Sequence, residues 1–292
     1  MTRSFELQGH RGARGLFPEN TIDGFVAAEA LGVDSIELDI AVTADGIPVV
    51  AHDPLLHHDI TRDAGGAWLV VPGPPILHLT LAQLRTYDVG RLRPGSAYAA
   101  KYPRQSPQDG AGIPTLAEVF AATSVTIDAE LKTLPDRPEL TIPPADMAEL
   151  VVAAADAAGA RGRLAIRSFD WRGLHHLKHA QPDIPLAWLT SPETTMRAPL
   201  WWAGPTPADF NGSVPAAVAA AAGSPPRAPT WAPAYARLSQ AAIADAHARG
   251  LRVVPWTVND PADMARLIGW GVEGLCTDVP DHARAVMREA GL

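Results

Sequence analysis

The sequence predicts an α/β fold in the form of a (β/α)8 TIM barrel, and three observations carry that expectation. Short apolar or β-branched runs alternate with helix-like segments about eight times, which is the rhythm of a parallel sheet. Gly32, Gly159, Gly250, Gly271 and Gly291 each fall just past a helix-like segment, where a helix stop belongs. The chain has 292 residues, 47% of them hydrophobic, enough for one large core, and such barrels often run roughly 200–250 residues as a single unit. Eight units suit a barrel better than an open sheet, although periodicity alone does not close the ring.

The strands are read at Phe5–Gly9, Ser35–Ile40, Pro48–His52, Val125–Leu131, Leu164–Ser168, Pro185–Leu189, Arg252–Val258 and Gly274–Thr277. Helices are read at Thr21–Leu31, Pro114–Ala122, Pro144–Ala158, Leu238–Arg249, Pro261–Trp270 and Asp281–Ala290. Prolines, 28 in number, cluster between the runs and mark loops. Two stretches break the rhythm, Asp53–Ile113 and the Pro- and Trp-rich Ser191–Ala234. The first reads as a small insertion over the barrel, at about 55–112 within one domain spanning 1–292.

Composition narrows the function. A net charge of −8 argues against a general nucleic-acid binder. A single cysteine, Cys276, excludes an intrachain disulfide and a cysteine-rich zinc site. The sequence has no apolar run long enough for a transmembrane segment, and its first residues lack a signal-peptide core, so the expected compartment is the cytoplasm. It gives no oligomeric state.

The chemistry is expected at strand ends. His10 closes the first strand and is followed by Arg11, whose fork of donors suits phosphate or carboxylate. Glu19 and Asn20 precede Thr21, and either Asn20 or Thr21 is placed to cap the next helix. Glu37 and Asp39 lie two apart in a strand, so both face one way while Leu38 faces the other. Two carboxylates on one face of an apolar strand need a cation or solvent, and paired oxygen ligands suit a hard ion such as Mg²⁺ or Ca²⁺. His52 ends the third strand. Asp128, Glu130 and Lys132 share a face of the fourth, and lysine is scarce here, with only Lys101 and Lys178 besides. The alternative for Lys132 is a simple ion pair with its acidic neighbours. This inventory supports metal-assisted chemistry on a phosphate ester.

His10-Arg11-Gly12, Glu19-Asn20-Thr21, Glu37-Leu38-Asp39, Asp45-Gly46 and His52-Asp53-Pro54 resemble, in order and spacing, the N-terminal pattern of glycerophosphodiester phosphodiesterases. The resemblance continues through Glu130-Leu131-Lys132, Ser168-Phe169, Trp256-Thr257-Val258-Asn259 and Gly271 to Asp278. It implies a TIM barrel with a small insertion after the third strand. It implies one divalent cation, Mg²⁺ or Ca²⁺, on Glu37, Asp39 and Glu130, and His10 and His52 as general acid and base. Phosphate contacts are implied for Arg11 and Lys132, and Trp256 either lines the substrate pocket or packs at the mouth. Glu19 is a candidate member of the metal or histidine network. Ser168-Phe169 and Thr277-Asp278 are read as structural. The implied substrate is a small glycerophosphodiester, cleaved to glycerol 3-phosphate and an alcohol.

Two rival readings stand beside this one. The first is a lysophospholipase D-like activity, with Trp201, Trp202 or Trp231 forming an apolar lip instead of packing their loop. The second is a non-catalytic, phosphodiester-binding barrel. The pairs His57-His58 and His175-His176 are read as surface or local structural residues, because adjacent residues in a strand face opposite ways.

Overall fold

A computed structural model describes residues 5–292. Its strands are β1 (Glu6–His10), β2 (Ser35–Val42), β3 (Pro48–Val50), β4 (Thr126–Leu131), β5 (Leu164–Ser168), β6 (Leu186–Thr190), β7 (Thr230–Pro233), β8 (Arg252–Val253) and β9 (Gly274–Thr277). Eight of them run parallel in the order β8-β7-β6-β5-β4-β2-β1-β9. Backbone hydrogen bonds from Glu273 to Val253, from Cys276 to Pro255 and from Val258 to Cys276 bridge the remaining gap into a barrel. All eight residues of β2 are buried, as expected of a strand covered by helices outside and side chains within.

The eight strands of the barrel are not quite the eight read from sequence. Pro48–Val50 is antiparallel to β2 and lies off the ring. Only residues 43–47 separate the two strands, and a parallel return needs a crossover of about a dozen residues or more. Gly46, at φ 79°, makes the turn that sends the chain straight back. The missing barrel strand is β7, which hydrogen-bonds to β6 on one side and β8 on the other. It has four residues, ends in Pro233 and follows Pro225, Pro226 and Pro229, so its local composition reads as loop.

A helix follows each barrel unit: Ile22–Ala30, Leu116–Ala122, Pro144–Ala157, Trp171–Ala180, Val214–Ala222, Gln240–Ala248, Pro261–Gly269 and Pro280–Glu289. The glycine stops at 32, 159, 250, 271 and 291 all have positive φ. Trp171–Ala180 and Val214–Ala222 are helices that the sequence pattern does not announce. The first contains Gly173, a poor helix former, yet a Cβ there would come within 2.9 Å of Leu131 Cδ1. Close approach of helix and strand therefore outweighs propensity at that position.

The Ser191–Ala234 stretch is ordered. It contains Pro192–Met196, Ala198–Trp201, Val214–Ala222 and β7. Trp201, Trp202 and Trp231 are buried, and Trp202 stacks on Trp171 with ring centroids 4.1 Å apart. These tryptophans pack the segment onto the barrel. Residues 51–113 instead sit over the β2–β3 hairpin, sharing with Ala41 and Val49 an apolar cluster of Leu56, Ile76, Leu84, Val89 and Ile113. Among the described residues no helix is long and apolar enough to cross a membrane.

Candidate active site

The site begins where β1 ends. Arg11 has φ 51° and Gly12 φ 88°, so the chain doubles back directly after His10. Gly9 makes this turn sterically feasible, since a Cβ on it would lie 2.2 Å from the Gly12 carbonyl oxygen. The fold-back aims the Arg11 backbone N–H at Glu37 Oε2, 3.1 Å away. Asn20, at φ 55°, donates its backbone N–H to the Arg11 carbonyl and its side-chain Nδ2 to Asp39 Oδ2 at 3.0 Å. Thr21 is thus the helix cap, accepting from the Gly24 N–H, and Asn20 serves β2.

Glu37 and Asp39 project from β2 to the same side, as alternation requires, while Leu38 is buried in the opposite direction. Asp39 faces Glu130 across the β2–β4 register. One carboxylate oxygen from each of Glu37, Asp39 and Glu130 lies within 4.8 Å of the other two, and all three residues are buried. Burial and the neighbouring Asp39 push the Glu37 carboxyl up to about 8. Burial also acts to raise Asp39, but Arg11, with His52 and Lys132, outweighs it and holds that carboxyl well below the usual range. The set fits a hard divalent cation. Its donors are all oxygen, Glu37 lacks enough positive charge to ionise at neutral pH, and Asp39 Oδ1 is buried without a hydrogen-bond donor.

Two cations border the cluster. Arg11 Nη1 donates to Glu19 Oε1 at 2.7 Å, and its Nε lies 3.2 Å from Asp39 Oδ2. Lys132 Nζ donates to Glu130 Oε1 at 2.8 Å and lies 3.4 Å from Asp39 Oδ1. Lys132 therefore does form the ion pair that was its simpler reading, and the pair is part of the acidic cluster. Glu19 also accepts from the Tyr98 hydroxyl, so it joins the site through Arg11 and Tyr98 and makes no direct hydrogen bond to either histidine.

The histidines reach the mouth by different routes. His10 Nε2 is 3.8 Å from Glu37 Oε2, and its Nδ1 is 2.6 Å from Asp278 Oδ1 at the end of β9. Burial and the Arg14 guanidinium bring the His10 imidazole down to about 4, against the pull of Asp278. His52 follows the off-ring strand β3, and the hydrogen bond from Ala51 N to the Asp39 carbonyl brings it back to β2. Its Nδ1 is 2.8 Å from Asp53 Oδ1. A cavity of about 310 Å³ is lined by His52, Arg11, Glu19 and Asn20 together with Tyr98 and Lys101.

Trp256 stands near the ends of β7 and β8. Its Nε1 donates to the Ala232 carbonyl at 2.9 Å, and its ring meets Phe169 edge to face at 5.4 Å. Of the other histidines, His57 lines the same cavity and stacks on His58, while His175 bonds the Trp202 carbonyl and His176 pairs with Glu149. The sequence does not announce the contacts of Arg14 and Tyr98 with the site, nor that of Asp278 with His10. Asp278 closes the last barrel strand, the position at which barrel sites gather functional groups, and that placement was the available signal. Arg14 and Tyr98 carry no local pattern.

Residues 10–282 match the model of the glycerophosphoryl diester phosphodiesterase family. A glycerophosphodiester phosphodiesterase of Bacillus subtilis is 31% identical over 281 residues, covering 93% of this chain and 83% of the relative. A crystal structure of a Silicibacter pomeroyi protein, assigned by inference to the same enzyme class, superposes with a TM-score of 0.89 at 33% identity, covering 100% of this chain and 96% of the other. An Oleispira antarctica phosphodiesterase solved with its product sn-glycerol-3-phosphate shares the fold, with a TM-score of 0.68 at 21% identity over 97% of this chain and 96% of its own.

Proposed function

The chain belongs to the glycerophosphoryl diester phosphodiesterase family, and we propose that it hydrolyses glycerophosphodiesters to glycerol 3-phosphate and a free alcohol in a metal-dependent reaction. The observation that carries this reading is the buried triad of Glu37, Asp39 and Glu130, with His10 and His52 both at its border.

Glu37, Asp39 and Glu130 would hold one Mg²⁺ or Ca²⁺, which when bound supplies charge neutralisation to the phosphate and acidity to a nearby hydroxyl. Arg11 and Lys132, already turned toward the acids, are placed to exchange part of that pairing for phosphoryl oxygens. In the first step the vicinal glycerol hydroxyl oxygen forms a bond to phosphorus as the bond to the leaving alcohol breaks. One histidine takes the hydroxyl proton and the other gives a proton to the alcohol. Water then opens the cyclic phosphate with the histidine roles reversed. Tethering the nucleophile to the substrate raises its effective concentration, so no nucleophilic side chain is required. The cavity beside His52 is of a size to receive a small substrate group. Trp201, Trp202 and Trp231 are all buried, which speaks against their forming a lip for an acyl chain.

The test is a screen of glycerophosphodiesters with added Mg²⁺ or Ca²⁺ and identification of both products. Release of glycerol 3-phosphate with the matching alcohol supports the reading. Absence of cleavage for every diester with either ion would overturn it in favour of a binding-only barrel.

A further inference from the structure

The sequence reads Asp278 as a structural residue, yet its carboxylate forms a short contact with His10. The Oδ1–Nδ1 distance is 2.6 Å, and both side chains are buried, Asp278 at 2% exposure and His10 at 8%. The carboxylate is itself clamped. Arg14 Nε donates to Oδ1 at 3.0 Å, Arg14 Nη2 to Oδ2 at 3.3 Å, and Asn259 Nδ2 to Oδ2 at 2.7 Å. Asn259 Oδ1 in turn accepts from the Asp278 backbone N–H at 2.9 Å and from the Thr277 hydroxyl at 3.0 Å. Main chain and side chain of Asp278 are therefore fixed by the same few groups.

We propose that Asp278 is a positioning residue for the reaction: its carboxylate holds His10 as the Nδ1–H tautomer, leaving the Nε2 lone pair directed at the Glu37 side of the acidic cluster. The assignment rests on the phosphodiesterase reading above. An ionised carboxylate only accepts hydrogen bonds, so a 2.6 Å contact requires the proton on Nδ1. Arg14 Nη2 also lies 3.2 Å from Nδ1, but a lone pair on Nδ1 would then face, at 2.6 Å, a carboxylate with no proton to share, so the shorter contact decides the tautomer. The imidazole then has one lone pair, on Nε2, which lies 3.8 Å from Glu37 Oε2. A ring without this anchor can rotate or adopt the other tautomer, and either change takes the lone pair away from the reacting hydroxyl. A purely structural Asp278, serving only to neutralise Arg14, would predict no such dependence.

The experiment uses the Mg²⁺-loaded protein with glycerophosphocholine and its Asp278→Asn variant. The amide keeps the shape but removes the obligate acceptor. The expected result is a fall in kcat of about 10²–10⁴-fold with KM and Mg²⁺ affinity changed less than threefold. Asp278→Glu, which restores the charge, should recover at least tenfold over Asp278→Asn. Nitrogen-15 NMR of the wild-type imidazoles reads the tautomer without activity and without any variant folding. An Nδ1–H signal for His10 supports the assignment. An Nε2–H tautomer in the wild type, or near wild-type kcat in Asp278→Asn, would overturn it. Failure of the wild type to cleave any diester sinks the phosphodiesterase reading, a result distinct from an active wild type with an unaffected variant.

Discussion

Asp39 and Glu130 stand directly opposite one another across β2 and β4, and the same register sets Glu37 beside Asp128. Only three of these four acids belong to the cluster. Asp128 is occupied by Arg167 and by Gln8, which donates to it at 3.1 Å. Arg167 also donates to Gln8 at 2.6 Å and is buried at 1% exposure. Asp128 is thus neutralised within the barrel interior, whereas Glu37, Asp39 and Glu130 have only Arg11 and Lys132 bordering three carboxyl groups, and only that cluster has reason to recruit a cation.

Metal removal should abolish turnover. Chelation is expected to bring activity to background, and Mg²⁺ or Ca²⁺ to restore it. Glu130→Gln, which removes one charge and nearly keeps shape, should weaken Mg²⁺ binding at least tenfold by titration calorimetry. Full activity in excess chelator, with no residual metal by elemental analysis, counts decisively against the assignment.

The metal-free protein should lose stability as pH rises. Glu37 holds its proton to about 8 in the folded chain against an ordinary 4.5. Its contribution is therefore complete below 4.5 and is lost as pH climbs through about 8. Thermal unfolding of chelated protein between pH 5 and 8 should show Tm falling from this cause, and Glu37→Gln should flatten that dependence. An unchanged slope in the variant refutes the account.

Proton transfer should depend on two histidines and on no others tested. His10→Ala and His52→Ala should each cost about 10²–10⁴-fold in kcat. His176→Ala, on an exposed pair with Glu149, and His58→Ala should stay within threefold of wild type. The wild-type rate should follow a bell-shaped pH curve whose limbs belong to the coupled site. Wild-type turnover in His52→Ala with metal bound would remove that residue from the mechanism.

The nucleophile should be the substrate's own hydroxyl. A diester lacking the glycerol hydroxyl vicinal to the phosphoester should bind but not turn over, and a slow natural diester should release cyclic glycerol phosphate. Phosphorus NMR of both reactions in parallel checks this. Equal cleavage of the two substrates means that water or a protein group attacks directly.

Trp202 should matter for folding and not for substrate choice. It is fully buried against Trp171, so Trp202→Ala should destabilise by about 3–5 kcal/mol by urea unfolding. The remaining folded protein should keep its KM for glycerophosphocholine. A selective loss of lysolipid cleavage with stability unchanged would restore the lip that packing displaces.

The sequence by itself determined much of the site. Strand alternation puts Glu37 and Asp39 on one face whatever surrounds them, and the order of His10, Glu37, Asp39, His52, Glu130 and Lys132 carries the family resemblance. Helix stops were equally legible, because a left-handed backbone favours glycine locally, as at Gly159 and Gly250. Tertiary structure decided what local signals do not encode. Local composition makes Pro48–Val50 a barrel strand and Thr230–Pro233 a loop, whereas hydrogen bonding to neighbours reverses both, since a strand is defined by its partners. Likewise nothing near Asp278 announces His10, 268 residues away in sequence. Closure of β9 onto β1, through the pairing of Gly9 with Thr277, makes them neighbours, and burial then gives their charge its influence.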